Sequence, residues 1–216
     1  MRIACLHTAK SNIDVFTNAA RHLNLPQISL VHAVREDLLA AAERARGLTS
    51  DIESRTRDAL LNLARDADAV LLTCSTLGPC IPADSAVAAV PMIRVDRALA
   101  DEVTRGGGKV VVLCAVETTL VPTMQVFRDA AQRSGADVEV RLVPRAWSLF
   151  RAGKRAAYLS AIADAADDAY DEGASIIALA QASMAEAAGL VRRASKPLTS
   201  PSAAVVAAMK AAVDAG

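Results

Sequence analysis

Two stretches of this chain carry the same pattern half a chain apart, and that repeat constrains the fold more than any other feature. Setting Asp68-Ala69-Val70-Leu71-Leu72-Thr73-Cys74-Ser75 over Ser175-Ile176-Ile177-Ala178-Leu179-Ala180-Gln181-Ala182 gives an offset of 181 − 74 = 107 in a chain of 216 residues. The same offset lays Arg2-Ile3-Ala4-Cys5-Leu6 over Lys109-Val110-Val111-Val112-Leu113. It sets the loop that begins at Thr8 against the loop through Glu117-Thr118-Thr119. Four further loop residues bring Val15–Ala20 over Val126–Ala131. One matching apolar run arises easily by chance. Two strands and a following helix in the same order argue for two similar α/β halves.

Within each half, strand patterns alternate with helix patterns. Strands are expected over 2–7, 27–32, 68–73, 91–95, 109–115, 138–143 and 175–180. Helices are expected over 15–23, 36–46, 50–67, 83–89, 97–105, 120–134, 158–171, 183–193 and 202–215. Ser50-Asp51-Ile52-Glu53 has capping-box form, while Gly47, Gly106-Gly107-Gly108 and Gly173 read as helix stops. The run Ala69–Leu72, bounded by Asp68 and by Gly78-Pro79, fits a strand buried on both faces, as parallel sheets require. Strands and helices alternating at this spacing predict parallel α/β architecture. Trp147, in a linker-like stretch after Pro144, reads as packing or as a cleft lid. The pairs Arg55/Arg57 and Asp167/Asp168 read as solvated helix faces.

Composition removes several classes of partner. There are 24 basic and 24 acidic residues, with no basic stripe interleaved with aromatics, so nucleic acid is not expected. No apolar run is longer than Val110–Val116, which falls far short of a membrane span. Met1-Arg2-Ile3 enters a strand at once, which argues against a signal peptide. Cys5, Cys74, Cys80 and Cys114 form neither a CxxC pair nor a zinc-ligand spacing. That pattern points to a reduced, cytoplasmic protein. A homo-oligomer is left open.

Cys74 stands out among the thiols. It follows a buried strand directly, and ligands of open α/β sheets bind just beyond the carboxyl ends of such strands. Ser75 and Thr76 are small hydroxyl residues suited to opening a helix, whose N-terminal N–H groups would favour thiolate. The plain alternative is a cysteine acting as a small hydrophobe. Cys5 and Cys114 lie inside strand-like runs and read as inert core; Cys80 reads as packing or as a resolving thiol.

These residues carry a resemblance. The Thr73-Cys74-Ser75-Thr76 segment, the Glu117-Thr118-Thr119-Leu120 loop and the Leu179-Ala180-Gln181-Ala182-Ser183-Met184 segment resemble the aspartate/glutamate racemase superfamily, over nearly the whole chain. The resemblance implies two pseudo-symmetric, Rossmann-like parallel-sheet lobes with the active site in the cleft between them. Residues 1–97 with 200–216 would form the first lobe and residues 98–199 the second. It implies that Cys74 is the first catalytic cysteine. Ser75 and Thr76, with Thr118 and Thr119, would bind a substrate carboxylate. Thr8, Glu117, Ala182 and Ser183 join them as expected substrate-binding positions. No pyridoxal phosphate, other cofactor or metal is implied. The departure is Gln181, which stands where two-cysteine racemases keep a second thiol.

That departure bears on mechanism. Racemisation without a cofactor removes a proton from one face of the α-carbon and returns one to the other, so it needs two groups of suitable pKa. Gln181 has no such pKa, although its amide can donate hydrogen bonds to developing negative charge. His7, at the end of the first strand, is a candidate for the second acid or base, or else a satisfied polar residue. His22 and His32 read as structural. The expected function is racemase-type isomerisation of a small carboxylic or amino acid through Cys74. A one-cysteine decarboxylase and a non-catalytic carboxylate-binding protein are the alternatives.

Overall fold

Strands whose residues are apolar on both faces occupy the middle of each sheet. The computed structural model describes residues 1–81 and 89–215, apart from the side chain of Thr118. By its contacts the chain divides into two compact units, Met1–Ala98 with Pro201–Gly216, and Leu99–Ser200.

The first unit contains a parallel sheet of β1 (Arg2–His7), β2 (Ser29–Val34), β3 (Ala69–Leu72) and β4 (Met92–Arg94). Its order is β2-β1-β3-β4. In β1 every residue after Arg2 is buried, and all of β3 is buried. These are the two central strands, where a parallel sheet has no solvated face. Three helices connect the first three strands: α1 (Ser11–His22), α2 (Glu36–Ala45) and α3 (Ser50–Ala64). The core on one face of the sheet is built from Leu6, Leu38, Ile52, Leu60, Val70 and Leu72.

The second unit repeats this plan. After α4 (Val95–Thr104), its sheet holds β5 (Lys109–Cys114), β6 (Asp137–Leu142), β7 (Ile176–Leu179) and β8 (Leu198–Thr199) in the order β6-β5-β7-β8. The pairing Ile3↔Ala69 between β1 and β3 becomes Val110↔Ile176 between β5 and β7, each residue displaced by 107. The helices are α5 (Leu120–Ser134), α6 (Ala146–Arg151) and α7 (Arg155–Asp171), and α8 (Ser200–Ala215) closes the chain. Val111, Leu113, Tyr158, Ile162, Ile177 and Leu179 form its core.

Several local expectations need correction, each for a physical reason. The cap of α3 is Thr49, whose extended backbone lets its hydroxyl accept from Ile52 N at 3.4 Å. Ser50 is already helical, so Glu53 is not in the capping-box position. Trp147 lies on α6 rather than in a linker. Its ring stacks on Phe150 with centroids 5.2 Å apart, and Phe150 meets Tyr158 at the same spacing. A six-residue helix is too short to show a helical period in sequence. The expected helix over 183–193 is instead a 3₁₀ helix over Ala182–Gly189. Contacts to α7 hold this stretch at Ser183, Glu186 and Arg192. One of the α7 partners is Asp167, which is only 3% exposed and accepts from Arg192 N at 3.1 Å, so it is not a solvated charge. The helix expected over 83–89 falls almost wholly on residues outside those described.

Tyr158 links this core to the 182–189 segment. Its hydroxyl and that of Ser183 are 2.8 Å apart, and burial pushes the phenol up to about 12 from an ordinary 10.0. The folded chain therefore holds this proton more tightly than the unfolded chain, and stability must fall as pH rises from the unfolded to the folded value. Tyr158→Phe is expected to cost about 1 kcal/mol near neutrality through the lost hydrogen bond. It should also flatten the alkaline loss of stability. Urea denaturation of both proteins from pH 8 to pH 12 checks this, because every other titrating group is common to the two. Parallel stability curves would rule out the assignment.

Candidate functional site

In the first unit the pairing Leu6↔Leu72 brings the carboxyl ends of β1 and β3 side by side. It therefore places His7 and Thr8 next to Thr73 and Cys74. Thr73 N and Thr73 Oγ1 both donate to Leu6 O, each at 3.1 Å. With its only proton used there, the Thr73 hydroxyl accepts from His7 Nδ1 at 2.8 Å. His7 Nε2 lies 2.9 Å from His32 Nδ1, and the imidazole packs against Phe16. His7 is fully buried, and burial, reinforced by the neighbouring His32, lowers its pKa to about 4. His32 is lowered by burial, with Asp14 opposing.

Cys74 is 8% exposed and packs with Leu72, Leu77 and Cys80. Burial pushes the Cys5 thiol up to about 12, and the Cys80 and Cys114 thiols in the same direction. Ser75 and Thr76 are half-buried in a turn that runs into a short 3₁₀ helix over Gly78–Cys80. No α-helix begins directly after Cys74, contrary to expectation, because Gly78 N and Cys80 N bond back three residues to Ser75 O and Leu77 O. The Arg94 guanidinium, at the end of β4, lies against this turn. A Cβ at Gly78 would meet the Arg94 guanidinium at 2.8–2.9 Å, so any larger residue there would have to displace the arginine head. The guanidinium is in turn fixed by a two-point pair with Asp96, at 3.1 and 2.9 Å.

The second unit brings together the carboxyl ends of β5 and β7. Gln181 Oε1 accepts from Ala115 N at 2.7 Å, and Gln181 Nε2 donates to Thr119 Oγ1 at 2.9 Å. Thr119 Oγ1 itself donates to Val116 O at 2.7 Å. Gln181 is thus a brace across the loop that carries Glu117 and Thr119. Cys114 is fully buried, near Thr123 and Gln181. Glu117 is exposed, Ala182 and Ser183 are half-buried, and the Thr118 side chain lies outside the described residues.

Under the 107-residue offset, Cys74 corresponds to Gln181 and His7 corresponds to Cys114. Each unit therefore places one thiol at the carboxyl end of a central strand, but on non-equivalent strands. Sequence reasoning missed His32, Arg94 and the bracing role of Gln181. It also missed Ser200, whose hydroxyl just after β8 is buried with no hydrogen-bond partner among the described residues. A cavity of about 330 Å³ in the first unit is lined by Thr17, Arg21, Asn24 and His32, and Cys74 does not line it. Among the described residues no helix is long and apolar enough to cross a membrane.

A family model described as Asp/Glu/Hydantoin racemase matches residues 8–215. No curated protein gives a significant sequence match. Solved structures share the fold. An aspartate racemase from Picrophilus torridus superposes with a TM-score of 0.71 at 10% identity, covering 98% of this chain and 94% of its own. An allantoin racemase from Pseudomonas fluorescens gives 0.63 at 19% identity, covering 97% and 90%. A maleate isomerase from Pseudomonas putida S16, solved with maleate, gives 0.57 at 14% identity, covering 99% and 92%.

Proposed function

Because this chain belongs to the Asp/Glu/hydantoin racemase family, whose model spans residues 8–215, we propose that it is a cofactor-independent isomerase of racemase or epimerase type. Its substrate is a small carboxylic or amino acid, and Cys74 moves the proton at the α-carbon. The observation that carries this reading is the place of Cys74 at the carboxyl end of the fully buried strand β3, beside His7 and Thr73. In open α/β sheets that edge is where ligands bind. Similar folds named for aspartate, allantoin and maleate agree with a small acid or amide substrate.

In the proposed mechanism the Cys74 thiolate takes the α-proton while hydroxyl and N–H groups of Thr8, Ser75 and Thr76, with the Thr118 N–H, hold the carboxylate. They stabilise the enediolate as charge moves onto it. Glu117, Ala182 and Ser183 complete the binding positions. His7 does not act at the substrate, since both of its ring nitrogens are already engaged, so water returns a proton to the opposite face of the carbanion and Cys74 releases its own to solvent. Four free thiols fit a reducing compartment, and we place the protein in the cytoplasm.

One observation favours a second reading. Both ends of the Gln181 amide are engaged in bracing the 115–119 loop, so position 181 supplies no proton. A decarboxylase needs only one acid: the carboxylate leaves as carbon dioxide and Cys74 protonates the resulting carbanion, regaining its proton from solvent. A panel of small carboxylic and amino acids, screened for thermal stabilisation and then incubated in deuterated water, tests both. Isomerase action is expected to show as α-deuterium incorporation with inversion and no gas release. Carbon dioxide with a deuterated product supports the lyase. Binding without exchange or release would leave only a carboxylate-binding protein.

A further inference from the structure

The side chains of Cys5, His7 and His32 gather on one face of the first sheet, away from the Leu6 and Val70 core. Strand geometry puts them there. Cys5 and His7 are two residues apart on β1, and Cys5 is the register partner of His32 on β2. One ligand atom from each lies within 4.8 Å of the others. The repeat supplies an internal comparison. By the same strand positions, the second unit has Val112, Cys114 and Val140. Apolar side chains therefore satisfy the fold at two of these three places, whereas burying imidazoles has a desolvation cost.

The surrounding hydrogen bonds favour one tautomer of each imidazole. The Thr73 hydroxyl donates to Leu6 O, so it accepts from His7 Nδ1–H and leaves the Nε2 lone pair directed at His32. The Thr17 hydroxyl donates to Ile13 O at 2.8 Å, so it accepts from His32 Nε2–H at 3.3 Å. That leaves the His32 Nδ1 lone pair directed at His7. In those tautomers two lone pairs face each other across 2.9 Å with the Cys5 sulfur nearby, an arrangement that a cation between them would satisfy.

We propose that Cys5, His7 and His32 form a binding site for a divalent d-block cation of the zinc type. One thiolate and two neutral imidazoles are the donor set that such borderline-soft ions select. On binding, the Cys5 thiol loses its proton to solvent and a metal–sulfur bond forms. Tetrahedral zinc would separate the two nitrogens by roughly 3.3 Å, from metal–nitrogen distances of about 2.0–2.1 Å, so the pair opens by a few tenths of an ångström. Thr73 and Thr17 are the outer-shell partners that orient the imidazoles. The fourth position is filled by solvent, which reaches His32 through the cavity that His32 and Thr17 line. The site goes beyond the proposed reaction and does not depend on it.

The test titrates chelator-treated full-length protein with cobalt(II) and zinc(II). One cobalt per chain is expected, with tetrahedral d–d bands and a thiolate-to-metal charge-transfer band. Zinc should displace it and raise the melting temperature. Cys5→Ser should abolish the charge-transfer band, whereas Cys74→Ser should leave it intact. His32→Gln, on the half-exposed strand β2, tests the site even if Cys5→Ser fails to fold, and should weaken binding at least tenfold. Thr73→Val should weaken it by about 10–100-fold through the lost outer-shell bond. Absence of the band, its survival in Cys5→Ser, or its loss in Cys74→Ser would each overturn the proposal. So would imidazole nitrogen spectra showing three ring N–H protons shared by His7 and His32 that do not respond to zinc, because the cation between them would then be a proton.

Discussion

Cys74→Ala is expected to lower solvent exchange of the substrate α-proton by about 10²–10⁴-fold, the range contributed by a single positioned acid or base. The argument rests on position and on the size of the competing effect. Cys74 ends a strand whose residues are wholly buried, and it packs with Leu72, Leu77 and Cys80. Alanine removes one sulfur atom from that cluster and introduces no polar group, so the stability cost should stay near 1 kcal/mol. A loss of activity far larger than the accompanying shift in unfolding midpoint would separate chemistry from packing. The measurement follows α-deuterium incorporation by proton NMR on whichever acid the thermal screen identifies. Exchange at the wild-type rate would make Cys74 a packing residue, and the proposed mechanism would have no base.

The parts of the fold legible in sequence were those in which burial is two-sided. β1, β3, β5 and β7 read as continuous apolar runs because both faces are covered, and their common 107-residue displacement survives in the strand register. Edge strands were less visible. β2 starts two residues later than expected, and β8 has only two residues, too few to show any pattern. Asp167 looked solvated because its partner, Arg192, lies twenty-five residues away and binds it through both its backbone N–H and its guanidinium, a pairing no local pattern announces.

The candidate site shows the same division. Strand ends could be read, so Cys74, His7, Thr8 and Gln181 could be placed on their sheet edges. The partners of those residues could not. The contact between His7 and His32 depends on the β1–β2 register, which the intervening loop sets and sequence periodicity does not. The bonds of Gln181 run to Ala115 N and to a threonine that is itself donating to Val116 O. A glutamine seen in sequence as a missing thiol is in the folded chain a support for the loop that carries the expected carboxylate-binding residues.

That support changes what Gln181→Cys should do. The variant restores a thiol at the position equivalent to Cys74 in the repeat, and if the second thiol is all that two-face exchange lacks, inversion should rise by up to about 10²–10⁴-fold. The same change deletes the carbonyl that accepts from Ala115 N and the amine that donates to Thr119 Oγ1. Ala115 is buried, so its N–H loses a partner at a cost of about 1–3 kcal/mol. Thr119 loses less, since its hydroxyl still donates to Val116 O. The melting temperature should therefore drop, by about 2–4 °C for each kcal/mol at this chain length. Deuterium incorporation and optical inversion, followed together on wild type and variant, separate the two effects. Increased inversion in a less stable protein supports an isomerase framework that lacks one thiol. Equal inversion by both would mean that another group already serves the second face. Loss of all turnover with binding retained would show that the braced loop matters more than the thiol, and would favour the one-acid decarboxylase.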